Sequence, residues 1–272
     1  MPPSQAVEAH HFEALGTSCS LFGVGVAQSR LVQGEFWVRE LGTRITRFSE
    51  GSELSALNRA QGEWVLVSAE MEALLREALR AYELSVGLVN ASVLPSMLAI
   101  GYTRPLAEGV STATLEASRP APPLVDVLTV QPGRARLDRG CGLDLGGIAK
   151  GWMADRLAAE IGPNALANLG GDLCAVGLGP EGDGWPVGFG GGTVLLLDQG
   201  AATSSVRRRR WGDLHHLIDP RTGLPSESGL EEVSVVAASG CEAEVVAKAA
   251  LLLGPGLAPA YCAAHAQAWW LT

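Results

Sequence analysis

The segment from Cys141 to Gly162, CGLDLGGIAKGWMADRLAAEIG, constrains this chain more than any other. Apolar Leu143 and Leu145 flank Asp144, a Gly146-Gly147 pair follows, and a helix then opens. Glycines carry no Cβ, so a ligand can approach their backbone closely. The helix behind them presents unpaired N–H groups and a positive dipole end to the same spot, which suits phosphate oxygens. Lys150 adds a flexible cation one turn in. Carboxylate, bare backbone, helix N-terminus and lysine within a short span describe a nucleotide-phosphate site. The competing reading is a tight strand-to-helix turn with a surface ion pair. Neither GxGxxG nor GxxxxGK[ST] is present, so the Rossmann and P-loop fingerprints are missing.

The hydropathy pattern around that segment alternates between two periods. Leu31, Val38, Leu41 and Ile45 share one helical face, which predicts a helix over about 29–45. Ser52 caps a short helix bearing Leu54 and Leu57. Ser68 opens the clearest helix, with Met71, Leu74, Leu75, Ala78, Leu79 and Tyr82 at i, i+3, i+4, i+7 spacing and Gly87 at its end. In the helix over 149–161, Met153, Leu157 and Ile161 form one line, and Gly162-Pro163 stops it. A last strong helix over 241–253 buries Val245, Val246, Ala249, Leu252 and Leu253 and stops at Gly254-Pro255. A strand or hairpin is expected at 12–26, broken by Gly23 and Gly25, and strands at 64–68, in an LVDVLTV/RARLD hairpin, in a glycine-punctuated series from ANLGGDL to EVSVVAAS, and in the closing QAWWLT. Strands come in runs between a few helices, so the fold class is α+β rather than a doubly wound sheet. Residues 103–123, rich in Pro, Ala, Ser and Thr, read as a surface excursion and a seam between two lobes.

Composition narrows the function. A chain of 272 residues with 47% hydrophobic and 18% charged residues is globular. A net charge of −9 argues against a nucleic-acid partner. Five scattered cysteines without CxxC or zinc spacing fit free thiols in a reducing compartment. The opening MPPSQAVEAHHFEALG lacks the basic and apolar regions of a signal peptide, and no apolar run is long enough to span or insert into a membrane. A cytoplasmic location follows as the expectation.

Outside the central segment, His215-His216 in LHHLIDPRTG is the most suggestive pair. Neighbours in a strand point to opposite faces, so one histidine faces in, and Asp219 follows in the turn at Pro220. Such a histidine serves as a general base, orients a phosphate, or is simply structural. Arg207–Arg210 reads as a solvated or partner-facing edge, because four adjacent arginines in an extended segment do not all converge on one ligand. ANLGGDL either lines the same pocket or is a plain turn. His10, His11 and His265 read as bland, and Glu244 and Lys248 as a favourable i, i+4 helix pair.

The segments LGTSCS, RFSEGSELSALNRA, GLDLGGIAKGWMADRLA, ANLGGDLCAVG, ATSS, HHLIDPRTGLP and VSVVAASGCEAEVVAKAALLLG together resemble the ApbE-type FAD:protein FMN transferase family, in its order and spacing from about residue 14 to 254. The resemblance implies an ApbE-like α+β fold: one domain over 1–272, with mixed or antiparallel sheets and flanking helices in two closely packed lobes. It implies a transferase that cleaves FAD and moves its FMN part to a Ser or Thr hydroxyl of a target flavoprotein, releasing AMP with Mg²⁺ assistance. It places FAD contacts at Leu15, Phe48, Leu88, Val89, Asn90, Asp144, Lys150 and Ile218, and His216 near the reacting pyrophosphate as the catalytic candidate. It assembles the metal site from the Gly147 carbonyl and the side chains of Glu244 and Lys248. Where the family has Asp then Thr in the last helix, this chain has Glu244 and Lys248, and a protonated lysine has only donors. Either Lys248 takes the ion's place, or it swings away and a carboxylate with water completes the shell. The family's AFDPT reads LVNAS, with Asn90 in place of a carboxylate. Its lipoprotein signal is missing, which puts the acceptor on the cytoplasmic side. Two alternatives share the resemblance: an FAD-binding protein without transfer, and an FAD pyrophosphatase that passes FMN to water.

Overall fold

The first strand pair already departs from the glycine pattern. In the computed structural model, which describes residues 6–189 and 192–272, β1 (Val7–Ala14) and β2 (Thr17–Val24) form an antiparallel hairpin. Its turn lies at Leu15-Gly16, both at positive φ, and not at Gly23, which sits inside β2 opposite Glu8. Helix α1 (Gln28–Ile45) buries Leu31, Val38, Leu41 and Ile45, as its spacing requires. Ser52 caps α2 (Glu53–Arg59), accepting the Ser55 N–H at 3.0 Å. Strand β3 (Trp64–Leu66) leads into α3 (Ala69–Leu84), which Ser68 caps. Gly87 closes it, its positive φ letting its N–H reach the Tyr82 carbonyl at 2.7 Å.

Between residues 88 and 127 only short pieces form, among them α4 (Leu94–Ala99) and α5 (Leu124–Val127). The 103–123 excursion carries two isolated 3₁₀ turns and has no buried residue in them. LVDVLTV splits: its first half is α5, and β4 (Leu128–Gln131) starts after it. Strand β4 pairs with β5 (Arg134–Leu137), which also pairs with β3, giving a three-stranded antiparallel sheet.

After α6 (Ala149–Ile161) come β6 (Ala165–Leu169), β7 (Leu173–Val176), the hairpin β8 (Trp185–Phe189) with β9 (Gly192–Leu196), and β10 (Gln199–Ser205). Gly190 and Gly191 of that expected glycine turn lie outside the described residues, as do Met1–Gln5 of the opening segment. Two short ladders follow, β11 (Arg210–Trp211) with β12 (Leu214–His215) and β13 (Ile218–Asp219) with β14 (Leu224–Pro225). The chain closes with β15 (Glu232–Ala237), α7 (Gly240–Leu253), α8 (Ala258–His265) and β16 (Ala268–Leu271). Helix α8 has no counterpart among the elements expected from the sequence, which pass from the stop at Gly254-Pro255 to QAWWLT. Pro259 falls in the first turn of α8, where a missing N–H costs no hydrogen bond.

The main sheet has the order β1-β2-β6-β7-β10-β15-β16, and every neighbouring pair is antiparallel. Alternation divides its residues between two cores. Ala165, Ala167 and Leu169 of β6 pack with α1 and α6, and Val233 and Val235 of β15 pack with α7. Leu166 and Val236 point the other way, to Trp185, Phe189 and Leu196 of the β8–β9 hairpin. Helices on one face of an antiparallel sheet make the α+β class. Helices α6 and α7 lie side by side on that face, and their N-terminal ends build the site.

Candidate active site

A cleft of about 800 Å³ opens between the β1–β2 turn, the end of α1, the chain after α3 and the segment before α6. Leu15, Phe48, Leu88, Val89, Asn90, Asp144, Lys150 and Ile218 all line it, so the structure brings together every proposed FAD contact. Its walls are largely apolar, as a flat heteroaromatic ligand requires. Leu15 holds φ +55°, and its side chain lies over Gly42, where a Cβ would come within 2.9 Å of it. Asn90 is spent on structure. Its Oδ1 accepts the Ser92 N–H at 2.9 Å and its Nδ2 donates to the Pro122 carbonyl at 2.9 Å, tying down the end of the excursion.

Arg47 is a site residue that the sequence reading passed over. Its guanidinium lies 4.2 Å from the centre of the Phe48 ring and 4.7 Å from that of Tyr102. Nε donates to Asp144 Oδ2 at 2.5 Å, while Asp144 Oδ1 accepts the Gly146 N–H at 2.8 Å. The side chain is only 4% exposed, yet Nη2 has no hydrogen-bond partner among the described residues. An unpartnered buried guanidinium N–H carries a desolvation cost that a ligand acceptor reaching it would offset.

The cleft ends at the start of α6 in a four-charge cluster. Lys150 forms an ion pair with Asp172, and its Nζ is 3.8 Å from Glu244 Oε1. Lys248 Nζ is 3.6 Å from the same oxygen and donates to the Gly147 carbonyl at 2.5 Å. Glu244 Oε2 accepts the Gly151 N–H at 2.9 Å, so a carboxylate from α7 takes one of the N–H groups that the α6 terminus offers. Burial alone would push the Glu244 carboxyl up. The Lys150 and Lys248 ammoniums and the Gly151 N–H outweigh it and hold the group below the ordinary carboxylate range. Burial draws the Lys150 ammonium down to about 8, with Glu244 opposing, and it is charged at neutral pH.

The two histidines divide as alternation requires. His215 is structural: its Nε2 bonds with the Ser226 carbonyl at 3.0 Å and its Nδ1 accepts the Leu217 N–H at 3.3 Å. His216 turns to the cleft, with Nδ1 shielded and unpartnered among the described residues. Burial, and then the charges of Arg209 and Lys248, hold its imidazole well below the usual range, so it is neutral at pH 7. Asp219 does not serve it; that carboxylate is engaged by Arg221 at 2.7 Å.

A second, polar cleft of about 190 Å³ adjoins the first. Lys150, Lys248, His216 and Arg209 line both. Gly170, Asp172 and Thr203–Ser205 line only the smaller one, which places the ANLGGDL turn and the ATSS segment on its wall. The arginine run is not uniformly an edge. Arg207 pairs with Glu231 and Arg210 is exposed, but Arg209, at φ +49°, turns into the clefts.

The residues proposed for Mg²⁺ converge, but their chemistry does not suit it. Mg²⁺ takes six oxygens at about 2.0–2.1 Å. Here the Gly147 carbonyl already accepts from an ammonium, and Glu244 Oε1 faces two ammoniums. Among the described residues, no three His, Cys, Asp or Glu side chains are placed to hold a metal ion.

Comparison with known proteins matches this geometry to a family. Residues 15–270 match the ApbE family. Over 239 residues the chain is 31% identical to FAD:protein FMN transferase of Treponema pallidum (strain Nichols), covering 75% of this chain and 66% of that protein. It is 26% identical over 254 residues to the protein of the same name from Vibrio cholerae, covering 85% and 75%. Against Klebsiella pneumoniae FAD:protein FMN transferase the match is 31% over 180 residues and spans about half of that relative, 51%. In solved structures the fold recurs in the flavin transferase ApbE of Vibrio cholerae, with TM-score 0.78 and 23% identity over 95% of this chain and 91% of that one. It recurs also in the Pseudomonas stutzeri flavinyl transferase ApbE, with TM-score 0.81 and 21% identity over 99% and 95%. With one family profile running from the β1–β2 turn to the closing strand, and with the fold shared along nearly the full length, this chain belongs to the ApbE family.

Proposed function

We propose that the chain is an FAD:protein FMN transferase, which moves the FMN part of FAD to a serine or threonine hydroxyl of a target flavoprotein and releases AMP. The observation that carries the reading is the junction of the two clefts. The cations Lys150, Lys248 and Arg209 line both, together with neutral His216, so a dinucleotide lying in the large apolar cleft presents its diphosphate to three positive charges. The small polar cleft leads an acceptor hydroxyl to that phosphate. Phe48, Leu88, Val89 and Ile218 supply apolar surface for the flavin, and Asp144 with Arg47 supplies polar groups on the same wall.

The chemistry is a displacement at phosphorus. The acceptor oxygen attacks the phosphorus of the FMN half, the phosphoanhydride bond breaks, and AMP leaves with the bonding electron pair. Neutral His216 takes the hydroxyl proton. A weakly basic imidazole suffices, because phosphoryl transfer depends mainly on positioning and charge neutralisation. The ammoniums of Lys150 and Lys248 and the dipole of α6 supply that neutralisation. The five free cysteines favour a reducing compartment such as the cytoplasm, and among the described residues no helix is long and apolar enough to cross a membrane.

Incubating the protein with FAD and a flavin-acceptor domain tests this reading. The expected result is a fluorescent acceptor with one AMP released per flavin attached. Intact FAD would identify a binding protein instead, and free FMN with AMP and no labelled acceptor would identify a pyrophosphatase.

A further inference from the structure

Lys248 stands on the ground that a divalent ion would need. Its Nζ lies 2.5 Å from the Gly147 carbonyl oxygen and 3.6 Å from Glu244 Oε1, and the Lys150 Nζ lies 3.8 Å from that same oxygen. A metal placed between Gly147 and Glu244 would share the space with one ammonium and face another. The approach is built into the backbone: a Cβ on residue 147 would come within 2.6 Å of Nζ, so glycine at that position lets the lysine reach the carbonyl. The carboxylate partner is equally committed, since its second oxygen accepts the Gly151 N–H.

We infer that Lys248 is a built-in cation that replaces the divalent ion at the diphosphate, so that this chain handles FAD without a metal. The inference rests on the transferase reading above. An ammonium has three donors. The Gly147 carbonyl takes one, and the other two are available to phosphate oxygens at the junction, where Lys248 lines both clefts. One ammonium carries half the charge of Mg²⁺, and its neighbours make up the difference. Lys150, Lys248, Arg208 and Arg209 bring four positive charges to the smaller cleft against the two negative charges of Asp172 and Glu244. The balance is positive, with the α6 dipole added, and it faces an anionic diphosphate.

The test uses the full chain, stripped with EDTA and compared with a sample resupplied with Mg²⁺. FAD affinity is read from flavin fluorescence, FMN transfer from acceptor labelling, and folding of each variant from its Tm. The expected result is that affinity and transfer in EDTA stay within about twofold of those in Mg²⁺. Lys248→Met, of similar length but uncharged, should weaken FAD binding about tenfold or more, the scale of a lost charge-assisted hydrogen bond, whether or not Mg²⁺ is present. The inference is overturned if EDTA abolishes wild-type binding or transfer and Mg²⁺ restores it, or if folded Lys248→Met binds FAD as tightly as wild type. If FAD binds but FMN is transferred under neither condition, the transferase reading fails, and the binding comparison in EDTA still judges the lysine. If FAD binds under neither condition, both fall.

Discussion

Arg47 lines the large cleft, with its Nε tied to Asp144 and its buried Nη2 without a partner among the described residues. A hydrogen bond to a charged group contributes about 1.5 to 3 kcal/mol. Arg47→Met should therefore weaken FAD binding by roughly ten- to a hundredfold in a fluorescence titration, and an unchanged Kd would remove Arg47 from the site. His216 should separate binding from chemistry. His216→Gln is expected to keep FAD affinity while lowering transfer by about 10²–10⁴, the usual scale for a general base. Its pH behaviour follows from the lowered pKa. The acid limb of the transfer rate should fall below pH 6.5, the ordinary histidine value, and a limb centred at or above it would contradict the assignment. Stability moves in the same direction. The unfolded chain protonates His216 near 6.5 and the folded protein resists, so stability is complete above that pH and declines as pH falls toward the folded value. His215, also lowered by burial, adds to the decline. Urea midpoints at pH 8 and pH 5 should differ less in His216→Gln than in wild type. Asp144 and Lys150 were legible in the sequence because DLGGIAK places both within a turn of one helix start. Arg209 was not, because nothing distinguishes it from its neighbours until the backbone turns, and Arg47, although it opens the RFSEGSEL segment, has no spacing that ties it to the distant Asp144. Arg209 enters the site through a left-handed φ that Arg207, Arg208 and Arg210 do not share.

At the scale of elements, α6 and α7 exchange caps. Asp155 of α6 accepts the N–H groups of Gly240 at 2.5 Å and Cys241 at 3.0 Å, at the start of α7. Glu244 of α7 returns the favour at Gly151. This fixes the junction of the clefts to the contact between two helices, and the contact depends on a missing side chain. A Cβ on residue 151 would meet the Gly240 carbonyl oxygen at 2.5 Å and the Cys241 Cα at 2.8 Å. Gly151→Ala places a better helix former inside a helix, worth about 1 kcal/mol in an exposed position. Overpacking against backbone should dominate here, and the variant is expected to lose about 1 to 3 kcal/mol in urea denaturation. A gain in stability would show that the helices part easily. Helices α1, α3, α6 and α7 could be read from apolar spacing and their capping or stop residues. The segments that escaped were those where a local rule pointed elsewhere. Pro259 opens α8 instead of ending structure, and the first turn of chain reversal falls at Leu15, a residue type that rarely accepts positive φ.

For the whole molecule, the α+β class was legible because strands come in runs, but the strand order was not. Strand β2 leaves its hairpin to pair with β6, and β15 lies between β10 and the closing β16. Those pairings join segments far apart in the chain and depend on which faces α6 and α7 must cover, which no local period records. The site inherits this non-locality, since its walls come from the first hairpin, the ends of α1 and α3, the start of α6 and the His216 segment. A ligand that bridges so many elements should stabilise all of them together. FAD at a hundred times its Kd should add about 2.7 kcal/mol to the folded state and raise Tm in one cooperative transition, whereas a split or unshifted transition would mean that the cleft is not the binding site. The most direct measurement is a crystal structure of the full chain with FAD. The expected result is diphosphate oxygens within about 3 Å of Lys150 Nζ and Lys248 Nζ, with the isoalloxazine in the large cleft beside Phe48. A diphosphate bound away from the start of α6 would contradict the central claim.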